Sequence, residues 1–265
     1  MSILTSLDPR RTSTAQADPG VAVRLSGVTK RFGEGPVVID DVSLTVGDGE
    51  FVCLLGASGC GKSTLLNMVA GLDSPTAGTV TVPGGRAALM FQESALLPWL
   101  TASQNVELAL RLRGVGRRER RERAAELLEL VRLGGAGAKR VHELSGGMKQ
   151  RVAMARALAQ ETGVLLMDEP FAALDAITRD VLHEELARLR ASQSLTVVFV
   201  THNVREAVRL GDRVVLLSSR PGRIAKEYDI AIDAPRRIES PEVARLSVEI
   251  TDDLRAEIRR HGGQP

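Results

Sequence analysis

Aromatic residues are scarce: five Phe, one Trp and one Tyr make up 3% of the 265 residues. That scarcity argues against base-stacking surfaces and aromatic-rich sandwiches. An excess of one charge is also missing, because 35 Lys and Arg face 33 Asp and Glu for a net charge of +2. No whole-protein field points to a polyanion, and nucleic acid is not an expected partner. Nor does any run approach the roughly 18 apolar residues needed to cross a bilayer, and the N-terminus lacks the apolar core of a secretory signal. The chain is therefore expected to remain in the cytoplasm. Its two cysteines, Cys53 and Cys60, share one short segment and have neither metal-site partners nor the number of a disulfide framework. Both read as reduced thiols. What is present, 43% apolar and 26% charged residues, suits a globular chain of one or two domains with an aliphatic α/β core.

Residues 1–20 are poor in apolar anchors and read as a disordered tail. Short β-branched runs at Val21–Leu25, Val37–Ile39 and Val42–Val46 precede the Gly47-Asp48-Gly49 turn and a further run at Phe51–Leu55. A helix is expected over Ser63–Ala70, followed by strands at Thr79–Val82 and Ala87–Phe91. From Thr101 to Ala159 Leu, Ala, Arg and Glu replace the β-branched runs, broken at Gly114–Gly116 and Gly134–Gly137, which predicts an inserted helical subdomain. Strands return at Val164–Met167, Thr196–Val200 and Val214–Leu217, separated by helices at Thr178–Arg190 and Val204–Leu210. This alternation implies a mostly parallel, buried sheet. Ser240–Arg260 reads as a terminal helix with Ser240 as N-cap and Pro241 in its first turn. The Arg-dense stretch Arg111–Arg123 is interleaved with Glu119 and Glu122 and is expected to be a solvated helical face.

The sharpest motif is Gly56-Ala57-Ser58-Gly59-Cys60-Gly61-Lys62-Ser63-Thr64, a P-loop pattern placed after an apolar strand and before a helix. Glycines let backbone N–H groups curl around phosphate, and the helix start adds the positive end of its dipole. Lys62 is expected at the β and γ phosphates and the Ser63 hydroxyl on Mg²⁺, with Cys60 a small filler. Val164–Glu169 is an apolar strand ending in two carboxylates, which would bring Asp168 to Mg²⁺ and Glu169 to the attacking water as general base. Leu144–Gln150 opens a long helical run, Met148–Ala159, with Ser145 as N-cap. A Ser and two glycines at a helix start also form an anion site. One chain already has a P-loop for that task, so Ser145, Gly146 and Gly147 make most sense against a nucleotide held by another copy.

In order and spacing these motifs resemble the ATP-binding subunits of ABC transporters. The P-loop, Leu144–Gln150, Leu166-Met167-Asp168-Glu169-Pro170 and Ala173-Leu174-Asp175 follow one another as in that family, with 83 residues from Lys62 to Ser145 and 23 from Ser145 to Asp168. The resemblance spans about Val21 to Arg223. It implies that Gln92 touches Mg²⁺ or the attacking water and senses a membrane partner, that His202 contacts the γ-phosphate, and that Asp175 connects two sites across a dimer. It also implies that Phe32 stacks on adenine where the family usually has Tyr, and Asn203 stands where the family often has Asp. His142, His183 and His261 match no catalytic position and are expected at the surface.

The segment Phe91–Thr101 and Arg220-Pro221-Gly222-Arg223-Ile224 are similar to importers of nitrate, sulfonates and taurine, with Trp99 expected to meet a permease. The expected fold is α/β: a P-loop ATPase with a mostly parallel core sheet, an N-terminal antiparallel β region and an inserted α-helical subdomain. The expected division is an ATP-binding domain over 21–260, its helical subdomain at about 93–160, and a C-terminal tail at 261–265. The expected function is ATP hydrolysis that powers uptake of a small anion, by a homodimer on the cytoplasmic face of the inner membrane. Its partners would be permease subunits and, indirectly, a solute-binding protein. A P-loop phosphotransferase would use Lys62 and Asp168 but leave Ser145–Gln150 without a role. A non-transport ABC ATPase acting on DNA or ribosomes would call for long coiled coils or a second ATPase unit, and neither is visible; an importer for another solute remains open.

Overall fold

A computed structural model describes residues 20–261 apart from 173, 194, 234 and 235. The expected tails at 1–20 and 261–265 lie outside these residues except for Gly20 and the backbone of His261, as does Ala173 of the Ala173-Leu174-Asp175 loop.

Two sheets form. Strands β1 (Val21–Arg31), β2 (Val37–Gly47) and β4 (Ala77–Thr81) make an antiparallel sheet in the order β2-β1-β4. The second sheet runs β5-β6-β7-β3-β8-β9, built from β3 (Phe51–Leu55), β5 (Ala87–Met90), β6 (Val164–Asp168), β7 (Thr196–Val200), β8 (Arg213–Leu217) and β9 (Ile224–Asp229). All its neighbours pair in parallel except β9, which lies antiparallel to β8. Every residue of β3 and β7 is buried, the signature of strands covered on both faces.

Side-chain alternation divides the core. Phe51, Cys53 and Leu55 of β3 point with Val197 and Phe199 of β7 into one layer, against α5 (Ala176–Gln193), α6 (Val204–Leu210) and the helices between β5 and β6. Val52, Leu54, Val198 and Val200 face the other layer, where α1 (Lys62–Val69) is packed between the two sheets through Leu65, Leu66, Met68 and Val69. The parallel strands thus end together, with α1 beginning where β3 stops.

Three α-helices lie between β5 and β6: α2 (Ala102–Leu112), α3 (Arg117–Leu130) and α4 (Gly146–Leu158). Thr101 and Gln104 close a capping box on α2, and the Ser145 hydroxyl accepts from the Met148 N–H at 3.3 Å to cap α4. Only Ala124 and Leu128 of α3 are buried, and its arginines pair with Glu107, Glu119, Glu122 and Glu161, so this is the expected solvated face. The last helix, α7 (Pro241–His261), follows Ser240 as expected and buries Val243 and Ile250 in the first layer.

Two expectations change, and one strand is new. Val37–Ile39 and Val42–Val46 are one strand, not two. Asp41 lies between them at φ +50° in a bulge, where Lys30 pairs with Ile39 and Val28 with Val42. Strand β9 had no forecast: its alternation is nearly all exposed, and only Tyr228 is buried. His183 is not a surface residue. It is 1% exposed and hydrogen-bonded to Glu206, as described below.

Candidate functional site

The loop after β3 folds back on its own lysine. Lys62 Nζ donates to the carbonyls of Gly56 at 2.8 Å and Ala57 at 2.9 Å, and stands 3.7 Å from Cys60 Sγ. Gly61 caps α1 at φ +99° with no side-chain hydrogen bond, leaving first-turn N–H groups for an anion. A Cβ on Gly61 would also meet Ile39 Cδ1 at 2.3 Å, so a larger residue there would have to displace the buried Ile39 side chain as well as hold a positive φ. Cys60 is fully buried, the small filler that the sequence suggests.

A cavity of about 430 Å³ opens above this loop, lined by Ser58, Gly59, Gly61, Lys62, Ser63 and Thr64 together with Val38, Gln92, Glu169 and His202. Three chain segments far apart in sequence meet at one oxygen. Gln92 Nε2 donates to Glu169 Oε2 at 3.4 Å, and His202 Nδ1 stands 3.3 Å from the same atom. Glu169 holds its backbone at φ +44° while its N–H continues the sheet to Val200 O at 3.0 Å. A non-glycine residue in this region costs about 1 kcal/mol, and such strain gathers at functional positions.

Asp168 ends β6 and accepts a hydrogen bond from Ser63. Burial raises its carboxyl above the ordinary value, and the neighbouring Glu169 charge adds to this, while the Ser63 hydrogen bond and the Lys62 charge oppose it. Hydroxyl, side-chain amide and carboxylate, the groups of Ser63, Gln92 and Asp168, are the hard oxygen donors that Mg²⁺ takes. Among the described residues no group of three or more His, Cys, Asp or Glu could hold a metal by itself. The donor set therefore fits an ion completed by phosphate and water.

The remaining expected residues do not line this cavity. Phe32 is 53% exposed, with Lys30 Nζ 4.7 Å from its ring centroid. Ser145 and Gly146 are exposed at the start of α4, and Gly147 lies under Leu174, whose Cδ2 would be 2.9 Å from an added Cβ. Asp175 accepts from the Thr178 N–H at 2.9 Å and hydroxyl at 2.7 Å, bonds that hold its carboxyl below the usual range. Asn203, the departure beside His202, caps α6 by accepting from the N–H groups of Arg205 and Glu206.

One contact escaped the sequence. Gln150, buried in α4, donates through Nε2 to the carbonyl of Gln92 at 2.5 Å. Arg156 of the same helix donates to Ser94 O at 2.9 Å and Ala95 O at 2.6 Å. The helix capped by Ser145 thus holds the loop that carries Gln92.

This fold and cavity are those of a P-loop ATPase. A family model described as "ABC transporter" matches residues 39–172. The chain is 46% identical to the taurine import ATP-binding protein TauB of Chromobacterium violaceum over 252 residues, 89% of this chain and 97% of that one. It is 45% identical to the aliphatic sulfonates import ATP-binding protein SsuB 1 of Agrobacterium fabrum over 240 residues, 90% and 85% of the two chains. Among solved structures, a dimeric ATP-binding cassette in a post-hydrolysis state with ADP and Pi is similar at TM-score 0.73 and 35% identity, covering 80% of this chain and 100% of that one. The chain belongs to the ABC transporter family, whose ATP-binding subunits hydrolyse ATP. Among the described residues no helix is long and apolar enough to cross a membrane.

Proposed function

We propose that this chain is the ATP-hydrolysing subunit of an importer for a small anion such as a sulfonate, taurine or nitrate. The observation that carries the reading is the meeting of Gln92, Glu169 and His202 above the P-loop. In this reading the N–H groups of Gly56–Thr64 and the Lys62 ammonium hold the ATP phosphates, and Phe32 stacks on adenine. Glu169 takes a proton from water as that water attacks the γ-phosphorus; the bond to the bridging oxygen of ADP breaks, and ADP and phosphate leave. Gln92 donates to the Glu169 carboxylate and keeps it oriented, while His202 meets the γ-phosphate. Ser63, Gln92 and Asp168 would hold Mg²⁺, which when bound neutralises charge on the phosphate oxygens.

Two copies would close head to tail, each presenting Ser145, Gly146 and Gly147 to the other's ATP, with Asp175 at the seam. Loss of the γ-phosphate would reopen the pair and reset a permease supplied by a solute-binding protein. Residues 21–260 would be one ATP-binding domain, with the helices of about 93–160 as its permease-facing subdomain. Trp99, 67% exposed next to the Gln92 loop, fits an interface anchor on the cytoplasmic face of the inner membrane and not a core aromatic.

The test is mild-detergent capture of the tagged chain from membranes, followed by thermal melts of its solute-binding component with taurine, alkanesulfonates, nitrate and bicarbonate. Capture of an integral permease and stabilisation by one of the first three anions is the expected result. Stabilisation by bicarbonate alone would reassign the cargo, and absence of any membrane partner would overturn the importer reading.

A further inference from the structure

Three buried polar side chains that the mechanism above does not use meet beside His202. His183 in α5, Glu206 in α6 and Thr201 at the end of β7 are 1%, 5% and 3% exposed. They form one chain of hydrogen bonds. His183 Nε2 lies 2.7 Å from Glu206 Oε1, and the Thr201 hydroxyl donates to Glu206 Oε2. The Thr201 oxygen in turn accepts the Asn203 N–H at 3.0 Å, so one hydroxyl ties the residues on both sides of His202.

The outer end of the chain fixes its direction. Arg209 Nη1 lies 3.4 Å from His183 Nδ1 and donates to Asp180 Oδ1 at 2.6 Å. A guanidinium only donates, so Nδ1 is the acceptor and Nε2 carries the proton given to Glu206. Both oxygens of the buried carboxylate are thereby satisfied. The His183 ring also meets Phe171 edge-on, with centroids 5.0 Å apart, two residues beyond Glu169. A cavity of about 50 Å³, bordered by Glu169, Phe171, Thr201, His202 and Glu206, lies between the two turns.

Burying a carboxylate and an imidazole costs several kcal/mol unless they are fully paired. Apolar side chains would join α5 to α6 without that cost. Here the pairing ends on the two residues that flank His202. We propose that His183, Glu206 and Thr201 are positioning residues for hydrolysis: their hydrogen-bond chain holds the His202 turn in register with Glu169. The proposal rests on the assignment of His202 to the γ-phosphate.

Thr201→Val tests it, because it removes the hydroxyl while nearly keeping the shape. The expected result, read well below the melting temperature, is a kcat about 10-fold lower, the scale set by loss of a charge-assisted hydrogen bond, with ADP affinity little changed and a lower melting temperature, because Glu206 Oε2 and the Asn203 N–H lose their partner. Thr201→Ser should recover most of the rate. In a His202→Ala background, Thr201→Val should add no further loss, since both act at one step. A Thr201→Val rate within twofold of wild type while His202→Ala is impaired overturns this proposal alone. So does a Thr201→Val loss that adds in full to that of His202→Ala. Wild-type turnover by His202→Ala overturns the His202 assignment and the proposal with it.

Discussion

The Gln150 side-chain amide donates to the main-chain carbonyl of Gln92, so the helix that begins at Ser145 is tied to the loop whose amide reaches Glu169. A shift of α4 when Ser145 meets a partner's nucleotide would be felt at Gln92 through this bond and through Arg156. Gln150→Leu, which deletes the donor, is expected to lower the ATPase rate about fivefold, the equivalent of one hydrogen bond worth about 1 kcal/mol. Steady-state kinetics on the purified variant check it; an unchanged kcat would mean that the bond is only structural.

Phe32 presents a half-exposed ring without the hydroxyl that the family usually carries there. Base–aromatic stacking is worth about 1–3 kcal/mol. Phe32→Ala should therefore weaken ATP binding by about 10-fold or more, and Phe32→Tyr should leave it near wild type. Titration with a fluorescent ATP analogue reads both.

The C-terminal helix is attached to the sheet edge through Asp253, which accepts from the Tyr228 hydroxyl at 2.5 Å and from Lys226 at 2.7 Å. The bonds from Lys226 and Tyr228 hold its carboxyl below the ordinary 3.8. A carboxyl lowered on folding adds stability that is present above the unfolded value and lost as pH falls through the folded one. The Lys226 and Asp253 side chains are 47% and 40% exposed, enough for solvent to screen their ion pair, which contributes little. Tyr228→Phe should cost about 1 kcal/mol at neutral pH, with the gap to wild type closing in acid below about pH 3.8. Urea melts from pH 7 to pH 3 measure it, and a gap that widens in acid would contradict the assignment.

Where burial on both faces and motif spacing agree, the sequence was enough: β3 and β7 match the expected bounds, and β6 and β8 each differ by one residue at one end. The same apolar strand ends placed Lys62, Asp168 and Glu169. Strand β9 was hidden because an edge strand with one buried residue has no apolar alternation to read. His183 matches no catalytic position, which alone suggests the surface, yet it lies next to the buried stripe of Leu182, Leu186 and Leu189. Its helical spacing gave a signal of burial; its partner Glu206, on another helix, gave none. Gln150 was visible as the end of a motif, but its bond to a backbone carbonyl 58 residues away is tertiary and leaves no local trace.

Glu169 as the general base is the claim on which the mechanism turns. Its most direct test is single-turnover hydrolysis by Glu169→Gln, with size-exclusion chromatography of the same protein in ATP and Mg²⁺. The expected result is hydrolysis slowed at least about 100-fold, the scale of general-base loss, with an ATP-bound dimer that persists. Turnover close to wild type would contradict the assignment.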